Sequence, residues 1–355
     1  MPSPLSPLRF RRGPEMKNRL ALAPMTNQQS HPDGTLSDDE FHWLVMRAKG
    51  GFGLTMTCAA HVQAVGQGFE GQLGVFGDPH LPGLERLAAA IRAEGSLSFV
   101  QLHHAGRRSP AELVGQPVAP SDDPDKGARG LSLSEVEALR DDFIAAAVRS
   151  ERAGFDGVEV HGAHGYVLTQ FLSPKTNRRD DHYGGDLTGR ARILFEILAG
   201  IRERCGDDFI LGLRLSPERF GIALDEAREL TRRVLPEVDF LEMSLWDTFK
   251  EPEDEAHRGR SLLSHFTDLD RGDTRLGVAG KLYSAADVRR ALEEGADFVS
   301  LGRGALLHHD FPERMRADPD FTRVELPVSV DHLKREGLGD AFVEYMRRWE
   351  GFVEG

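Results

Sequence analysis

The chain has 355 residues, and 44 Lys and Arg against 57 Asp and Glu give it a net charge of −13. This acidic balance argues against nucleic acid or an anionic membrane as a partner. No apolar run is long enough to cross a bilayer, and the first twelve residues lack the apolar segment of a secretory signal, so we expect a cytoplasmic protein that acts on small molecules. With only Cys58 and Cys205, neither a thiolate zinc site nor a four-cysteine iron–sulfur cluster is expected.

Short apolar runs alternate with amphipathic segments along the chain. Strands are predicted at residues 19–26, 54–60, 97–104, 157–160, 209–217, 239–244, 276–281 and 297–304. Helices are predicted at residues 37–49, 81–94, 132–147, 191–202, 224–234 and 284–295, with a terminal helix at 338–352. Eight strands separated by helices indicate an α/β fold, a single-domain (β/α)₈ TIM barrel over residues 1–355.

Two long segments, residues 105–131 and 245–275, are rich in charged residues, Pro and Gly and show no clear period. Active sites of this fold lie at the carboxyl ends of the strands, under the loops that follow them. We therefore expect both segments to cover this mouth of the barrel. The second is a candidate lid that selects the substrate, with Trp246 at its start assigned to substrate binding.

The most informative segment, residues 155–185, places two imidazoles and a phenol just past the fourth strand. His161, His164 and Tyr166 are spaced so that a turn or short helix can orient all three side chains to the same side. Neutral imidazoles donate hydrogen bonds and a phenol holds a transferable proton, which suits a carbonyl compound that accepts a hydride at its conjugated carbon. A metal site that includes Glu159 is the weaker alternative, and no metal is assigned.

Polar residues also stand at the exits of the other strands, where the barrel collects them in one ring. The exits carry Thr26, Ala60, Gln101, Arg214, Ser244, Lys281 and Arg303, all of them polar except Ala60. A structural protein has no reason to build such a ring, so a function at the mouth is expected.

A phosphorylated cofactor is indicated by two of these exits. Gly280 with Lys281 follows strand seven, and Gly302 with Arg303 follows strand eight, where barrels bind phosphate. The alternative is that the glycines only turn the chain and Arg303 is solvated.

The remaining exits match a flavin. Arg214 suits the charge on a reduced flavin ring, Gln101 suits its adjacent carbonyl and N–H, and Thr26 can donate to a ring carbonyl. Each also has an ordinary explanation: Arg214 could simply pair with Glu242, and Thr26 could be a cap.

A glycine pattern at residues 66–71 fits the dinucleotide fingerprint but is discounted, because no helix can follow it. His103 and His104 are interpreted as solvated or loop groups.

Several motifs in a fixed order resemble the old yellow enzyme family of FMN-dependent oxidoreductases, from about Leu5 to Trp349. They lie at residues 23–26 (Ala-Pro-Met-Thr), 100–107 (Val-Gln-Leu-His-His-Ala-Gly-Arg), 160–174, 177–178, 183–185, 214–216 and 301–304. The resemblance implies noncovalent FMN with NADPH or NADH as electron donor. It assigns cofactor contacts to Pro24, Met25, Thr26, Ala60, Gln101, Arg214, Gly280, Lys281, Gly302 and Arg303.

The same resemblance implies an ene reductase that works by a ping-pong mechanism. His161 and His164 would hold the carbonyl or nitro oxygen of an activated alkene, and Tyr166 would supply the proton. Two rival hypotheses stay open: a lyase that forms an imine at Lys281, and a flavin-binding protein without catalysis. Arg347 or Arg348 could reach a neighbouring site, as in some relatives, which would require a homo-oligomer. The alternative is that these basic residues only complement the dipole at a helix end.

Overall fold

The computed structural model describes residues 3–355, and its centre is a closed barrel of eight parallel strands. The strands are β1 Leu20–Leu22, β2 Leu54–His61, β3 Leu97–His103, β4 Gly157–Gly162, β5 Ile210–Leu215, β6 Phe240–Ser244, β7 Arg275–Ala279 and β8 Phe298–Leu301. Each strand pairs with its neighbours in sequence, and β8 closes on β1 through Leu20 opposite Val299. The predicted (β/α)₈ TIM barrel is confirmed.

Helices follow the strands and pack on the outside of the barrel. The longer ones span Asp38–Lys49, Leu81–Ala93, Leu133–Arg152, Leu187–Arg204, Leu224–Val234, Ala285–Glu293 and Phe311–Ala317. Ser132 and Ser284 open two of them with reciprocal capping boxes. The fourth begins earlier than predicted because the Asp186 side chain accepts from the Gly189 N–H and caps it.

The helix Asp38–Lys49 begins with only half of a capping box. The Ser37 side chain accepts from the Glu40 N–H, as expected. The Glu40 carboxylate, however, is buried and accepts from Asn27 Nδ2 at 2.9 Å and from Ser30 Oγ. It ties the helix to the segment that follows β1 instead of returning to its own cap.

The two long loops contain more structure than the sequence indicates. The first carries the short helix Ala111–Val114 and a two-stranded sheet of Val118–Ala119 with Arg129–Gly130. The second carries the short helix Ser264–Thr267. The predicted terminal helix at 338–352 is shorter than expected: Asp340–Arg347 is helical, and the chain turns at Trp349.

The amino end of the barrel is plugged by aromatic rings. Phe10 packs against Phe240 and Phe298, with ring centroids 5.4 and 6.1 Å away. Opposite these rings stand glycines: a Cβ at Gly212 or Gly277 would collide with the ring of Phe240 or Phe298. The interior is therefore open only toward the carboxyl ends of the strands.

A bulge in β2 reverses which side chains face the barrel interior. The register with β3 shifts between Met56 and Ala59, after which Ala59 lies opposite Gln101 and His61 opposite His103. Met56 packs inside the barrel in one cluster with Phe10 and Phe99. Ala60 is fully buried in a different cluster, which includes residues of the outer helices. Within residues 3–355, no helix has the length and apolar character needed to cross a membrane.

Candidate active site

A cavity of about 220 Å³ opens at the mouth between the exits of β1, β5, β6, β7 and β8. Its lining includes many of the residues predicted from the sequence, namely Pro24, Met25, Thr26, Arg214, Ser244, Trp246, Gly280, Lys281, Gly302 and Arg303. We call it the cationic cavity. Chain segments far apart in sequence thus meet where the barrel fold predicts.

Three cationic side chains line the cationic cavity, and they differ in whether they form an ion pair with a carboxylate. Lys281 Nζ lies 3.3 Å from Asp247 Oδ2, and Arg214 Nε lies 2.9 Å from Glu242 Oε1. Arg303 instead lies over the rings of Tyr283 and Trp349, at 5.3 and 5.5 Å from their centroids. Since no carboxylate in residues 3–355 forms an ion pair with Arg303, this end of the cavity suits an anionic group such as a phosphate.

Arg214 joins the cationic cavity to a buried polar layer below it. Glu242 accepts from Ser300 Oγ as well as lying against Arg214, so the ordinary alternative of an Arg214–Glu242 pair is also realised. Gln101 Nε2 donates to Glu159 Oε1 at 2.7 Å. Burial, and next the charge of Glu242, raise the pKa of Glu159 well above its usual range.

Two predicted cofactor residues do not line the cationic cavity. Gln101 is buried in the polar layer, with its amide N–H engaged by Glu159. Ala60 is turned toward the outer helices by the bulge in β2, so its side chain does not face the mouth, and its contact with the cofactor stays a prediction. Ala59, which is partly exposed and faces the interior beside Gln101, occupies the position expected of Ala60.

His164 and Tyr166 project into a second cavity of about 490 Å³, which we call the histidine cavity. His164 and Tyr166 line it, together with Arg108, Arg219, Phe220 and Lys250. His161 lies behind His164, with its Nε2 2.9 Å from His164 Nδ1. The two cavities adjoin, since Pro24, Thr26, Ser244, Trp246 and Trp349 line both.

The turn after β4 aims His164 at the mouth. His164 has φ +61° and Gly165 has φ +72°, so the chain reverses through two left-handed residues. A Cβ at Gly165 would lie 2.7 Å from the Phe220 ring, which makes this position unsuitable for a larger residue. His164 Nε2 then reaches Ser244 Oγ at 2.7 Å.

Both imidazoles are neutral in this setting. Burial lowers the pKa of His161 well below its usual range, and His164 lowers it further. Burial lowers the pKa of His164 in the same way, with Arg214 as the next cause. Each ring therefore has one N–H to donate, and one of these protons lies between the two rings.

Tyr166 is the only predicted proton donor, and its ring is enclosed by other side chains. The ring of His103 meets it edge-on with centroids 4.4 Å apart, and the ring of His161 lies at 5.2 Å. Burial raises the pKa of the Tyr166 hydroxyl, while Arg108, stacked over the ring at 4.8 Å, lowers it. Its hydroxyl makes no hydrogen bond to a residue within 3–355 and is free for a ligand.

The interpretation of His103 and His104 as solvated groups is wrong, since both are buried, although His104 does lie in the loop after β3. The Gln72 amide is fixed because its Oε1 accepts from the Gly68 N–H at 2.6 Å. Its Nε2 therefore donates to His103 Nδ1 at 3.1 Å, which places the His103 proton on Nε2. The alternation that puts Gln101 inside β3 could have predicted His103 inside as well.

Trp246 is 58% exposed and has φ +64°. It lines both cavities, and Arg219 stacks on its ring at 5.2 Å. An exposed indole at this junction can cover a planar ligand. Trp349, which follows the terminal helix, lines the same two cavities. The sequence did not indicate this residue, because its approach to the mouth depends on how the terminal helix docks.

A closed parallel barrel with a cation-lined mouth defines a cofactor-binding α/β-barrel protein. The model of the NADH:flavin oxidoreductase / NADH oxidase family matches residues 5–320. The chain belongs to this family. It is an NADH- or NADPH-dependent flavin oxidoreductase of the old yellow enzyme type, and FMN is the cofactor that its family binds.

Individual relatives agree with this assignment. A probable NADH-dependent flavin oxidoreductase, YqiG, from Bacillus subtilis (strain 168) is 36% identical over 323 residues, which is 87% of each chain. An NADH:fumarate oxidoreductase from Klebsiella pneumoniae (strain 342) is 34% identical over 94% of this chain, which spans only 37% of that longer protein. The solved old yellow enzyme homologue from Zymomonas mobilis is 26% identical, with a TM-score of 0.81 over 96% of this chain and 99% of that one.

Proposed function

We propose that the enzyme reduces the activated C=C bond of α,β-unsaturated carbonyl or nitro compounds with electrons from NADH or NADPH. The observation that carries the proposal is the position of a neutral imidazole pair and a buried phenol beside the cation-lined cavity. Hydrogen-bond donors for a substrate oxygen and a proton for its α-carbon thus stand at one mouth.

The donor set of the cationic cavity fits FMN. Arg303, with no carboxylate partner in residues 3–355, and Lys281 would hold the phosphate. Arg214 and Thr26 would contact the flavin ring, with Pro24, Met25, Gly280 and Gly302 forming the surrounding wall and Gln101 supporting it from the polar layer. Bound FMN would supply the hydride carrier that the side chains lack.

His161 and His164 would hold the oxygen of the substrate. Their rings are hydrogen-bonded to each other in the structure, and a substrate oxygen bound to both rings would replace this bond. Neutral imidazole donors stabilise negative charge as it develops on that oxygen, at a contribution of roughly 2.7–4 kcal/mol per donor in comparable oxyanion sites. Uncharged rings are also compatible with the nearby guanidinium of Arg214. Arg214 donates to Ser244 Oγ, the hydroxyl that lies 2.7 Å from His164 Nε2.

Tyr166 would transfer its hydroxyl proton to the α-carbon while the hydride reaches the β-carbon. Trp246 and Trp349 line both cavities and would exclude water from above. Because the two cavities share these walls, nicotinamide and alkene would occupy the same space in turn, which supports a ping-pong order.

Lys281 gives little support to the lyase hypothesis. An imine-forming amine is usually buried and activated by desolvation or a neighbouring cation. The Lys281 side chain is 44% exposed and pairs with Asp247.

Steady-state turnover of a panel of activated alkenes with each nicotinamide tests the proposal. We expect initial-rate plots of parallel lines with 2-cyclohexenone and competitive inhibition by phenols. Oxidation of NADH or NADPH that yields no saturated product with any alkene would refute it.

A further inference from the structure

Arg108 lies across the ring of Tyr166 at the edge of the histidine cavity. Its guanidinium carbon is 4.8 Å from the ring centroid, and Nη1 donates to the backbone carbonyl of His164. The preceding Arg107 pairs with Asp123 at 2.5 Å, whereas no carboxylate in the described part of the chain pairs with Arg108. Arg108 therefore links the turn that presents His164 to the ring of Tyr166, and its positive charge is not neutralised.

The other groups that face Tyr166 supply no compensating charge. His103 and His161 contact its ring and are neutral, because burial lowers the pKa of both well below the usual range. His164 is neutral for the same reason. Tyr345, from the helix Asp340–Arg347, raises the pKa of Tyr166, and Arg108 alone among the described residues lowers it.

Loss of a proton from Tyr166 would leave a phenolate in this enclosed position. Burial disfavours the phenolate, since an anion loses its hydration there. A guanidinium over the ring opposes this effect by direct charge attraction. The same contact fixes the ring plane relative to His164, because one side chain holds both.

We propose that Arg108 is the positioning residue that makes Tyr166 an effective acid by stabilising the phenolate left when its proton moves to the substrate. This inference rests on the proposed function, in which the proton leaves Tyr166 Oη for the α-carbon. The proton is then regained from water through the histidine cavity. Arg108 takes no part in bond making: it acts on the reaction through Tyr166, whose ring it also holds beside the turn of His164.

The first test does not require turnover. In holoenzyme with ring-¹³C-labelled tyrosine, we expect Arg108→Gln to raise the pKa of Tyr166 by about one unit or more, and Arg108→Lys to restore part of the difference. Arg219→Gln is the matched control, because Arg219 also lines the histidine cavity but stacks on Trp246. An unchanged Tyr166 pKa, or an equal shift in both glutamine variants, overturns the proposal.

The second test is a double-mutant cycle on reoxidation of the reduced holoenzyme by 2-cyclohexenone. Arg108→Gln should slow this step about tenfold or more in the wild-type background and should have no further effect in Tyr166→Phe. Equal slowing in both backgrounds means that Arg108 acts elsewhere and overturns the proposal. Failure of the wild-type enzyme to reduce any alkene would refute the proposed function, while the titration would still decide the role of Arg108.

Discussion

Arg303→Met tests the assignment of the phosphate end of the FMN site. Lys281 forms an ion pair with Asp247, and Arg214 forms one with Glu242. Among these three cations of the cavity, Arg303 is therefore the one without a carboxylate partner in residues 3–355 and the most available to a ligand. A hydrogen bond to a charged group contributes about 1.5–3 kcal/mol, which corresponds to roughly 10- to 150-fold in Kd. We expect Arg303→Met to weaken FMN binding within this range.

The assay is a titration of the apoprotein with FMN and, separately, with riboflavin. Binding is measured as the quenching of flavin fluorescence. Riboflavin lacks the phosphate, so Arg303→Met should change its Kd by less than about threefold. Arg323→Met is the control, because Arg323 also stacks on Tyr283, at 5.0 Å, but does not line the cationic cavity. Equal losses for FMN and riboflavin would refute the assignment and would indicate general damage to the mouth.

Three further predictions follow from the site. Tyr166→Phe should slow alkene-dependent reoxidation by roughly 10²- to 10⁴-fold and leave reduction by NADPH unchanged in stopped-flow traces; equal slowing of both halves contradicts its role as acid. His161→Ala with His164→Ala should abolish the absorption change on adding a phenol while FMN stays bound, and loss of FMN would reassign both residues. Burial lowers the pKa of His104 to about 3, below its unfolded value, so its contribution to stability is complete above about pH 6.5 and falls as the pH drops. Between pH 7 and 4.5, the free energy of unfolding measured with urea should therefore fall by about 2–3 kcal/mol more for the wild type than for His104→Phe. Equal falls in the two proteins would contradict this.

The barrel was predictable because each of its parts has a local signal. Strands such as Ile210–Leu215 are continuous apolar runs, and helices such as Leu133–Arg152 begin at a capping serine. The convergence of Thr26, Arg214 and Lys281 on one cavity then followed from the fold, since parallel strands end at the same face.

The parts that the sequence did not predict depend on contacts between distant segments. One extra residue in β2 turned Ala60 away from the mouth and brought Ala59 and His61 toward it. The contact of Arg108 with Tyr166 joins two loops that are adjacent only in the folded barrel. The terminal helix ends before Trp349 because the chain turns there and residues 352–354 pair with Val328 through the backbone.

Isotope labelling of the product tests the central claim most directly. Wild-type holoenzyme is supplied with NADPH or NADH carrying deuterium at nicotinamide C4 and with an α-substituted cyclohexenone, first in H₂O and then, with unlabelled donor, in D₂O. We predict deuterium at the β-carbon in the first experiment and at the α-carbon in the second, as hydride transfer at the mouth and protonation by Tyr166 require. A product with donor deuterium at the α-carbon, or no reduced product while the nicotinamide is consumed, would contradict the account.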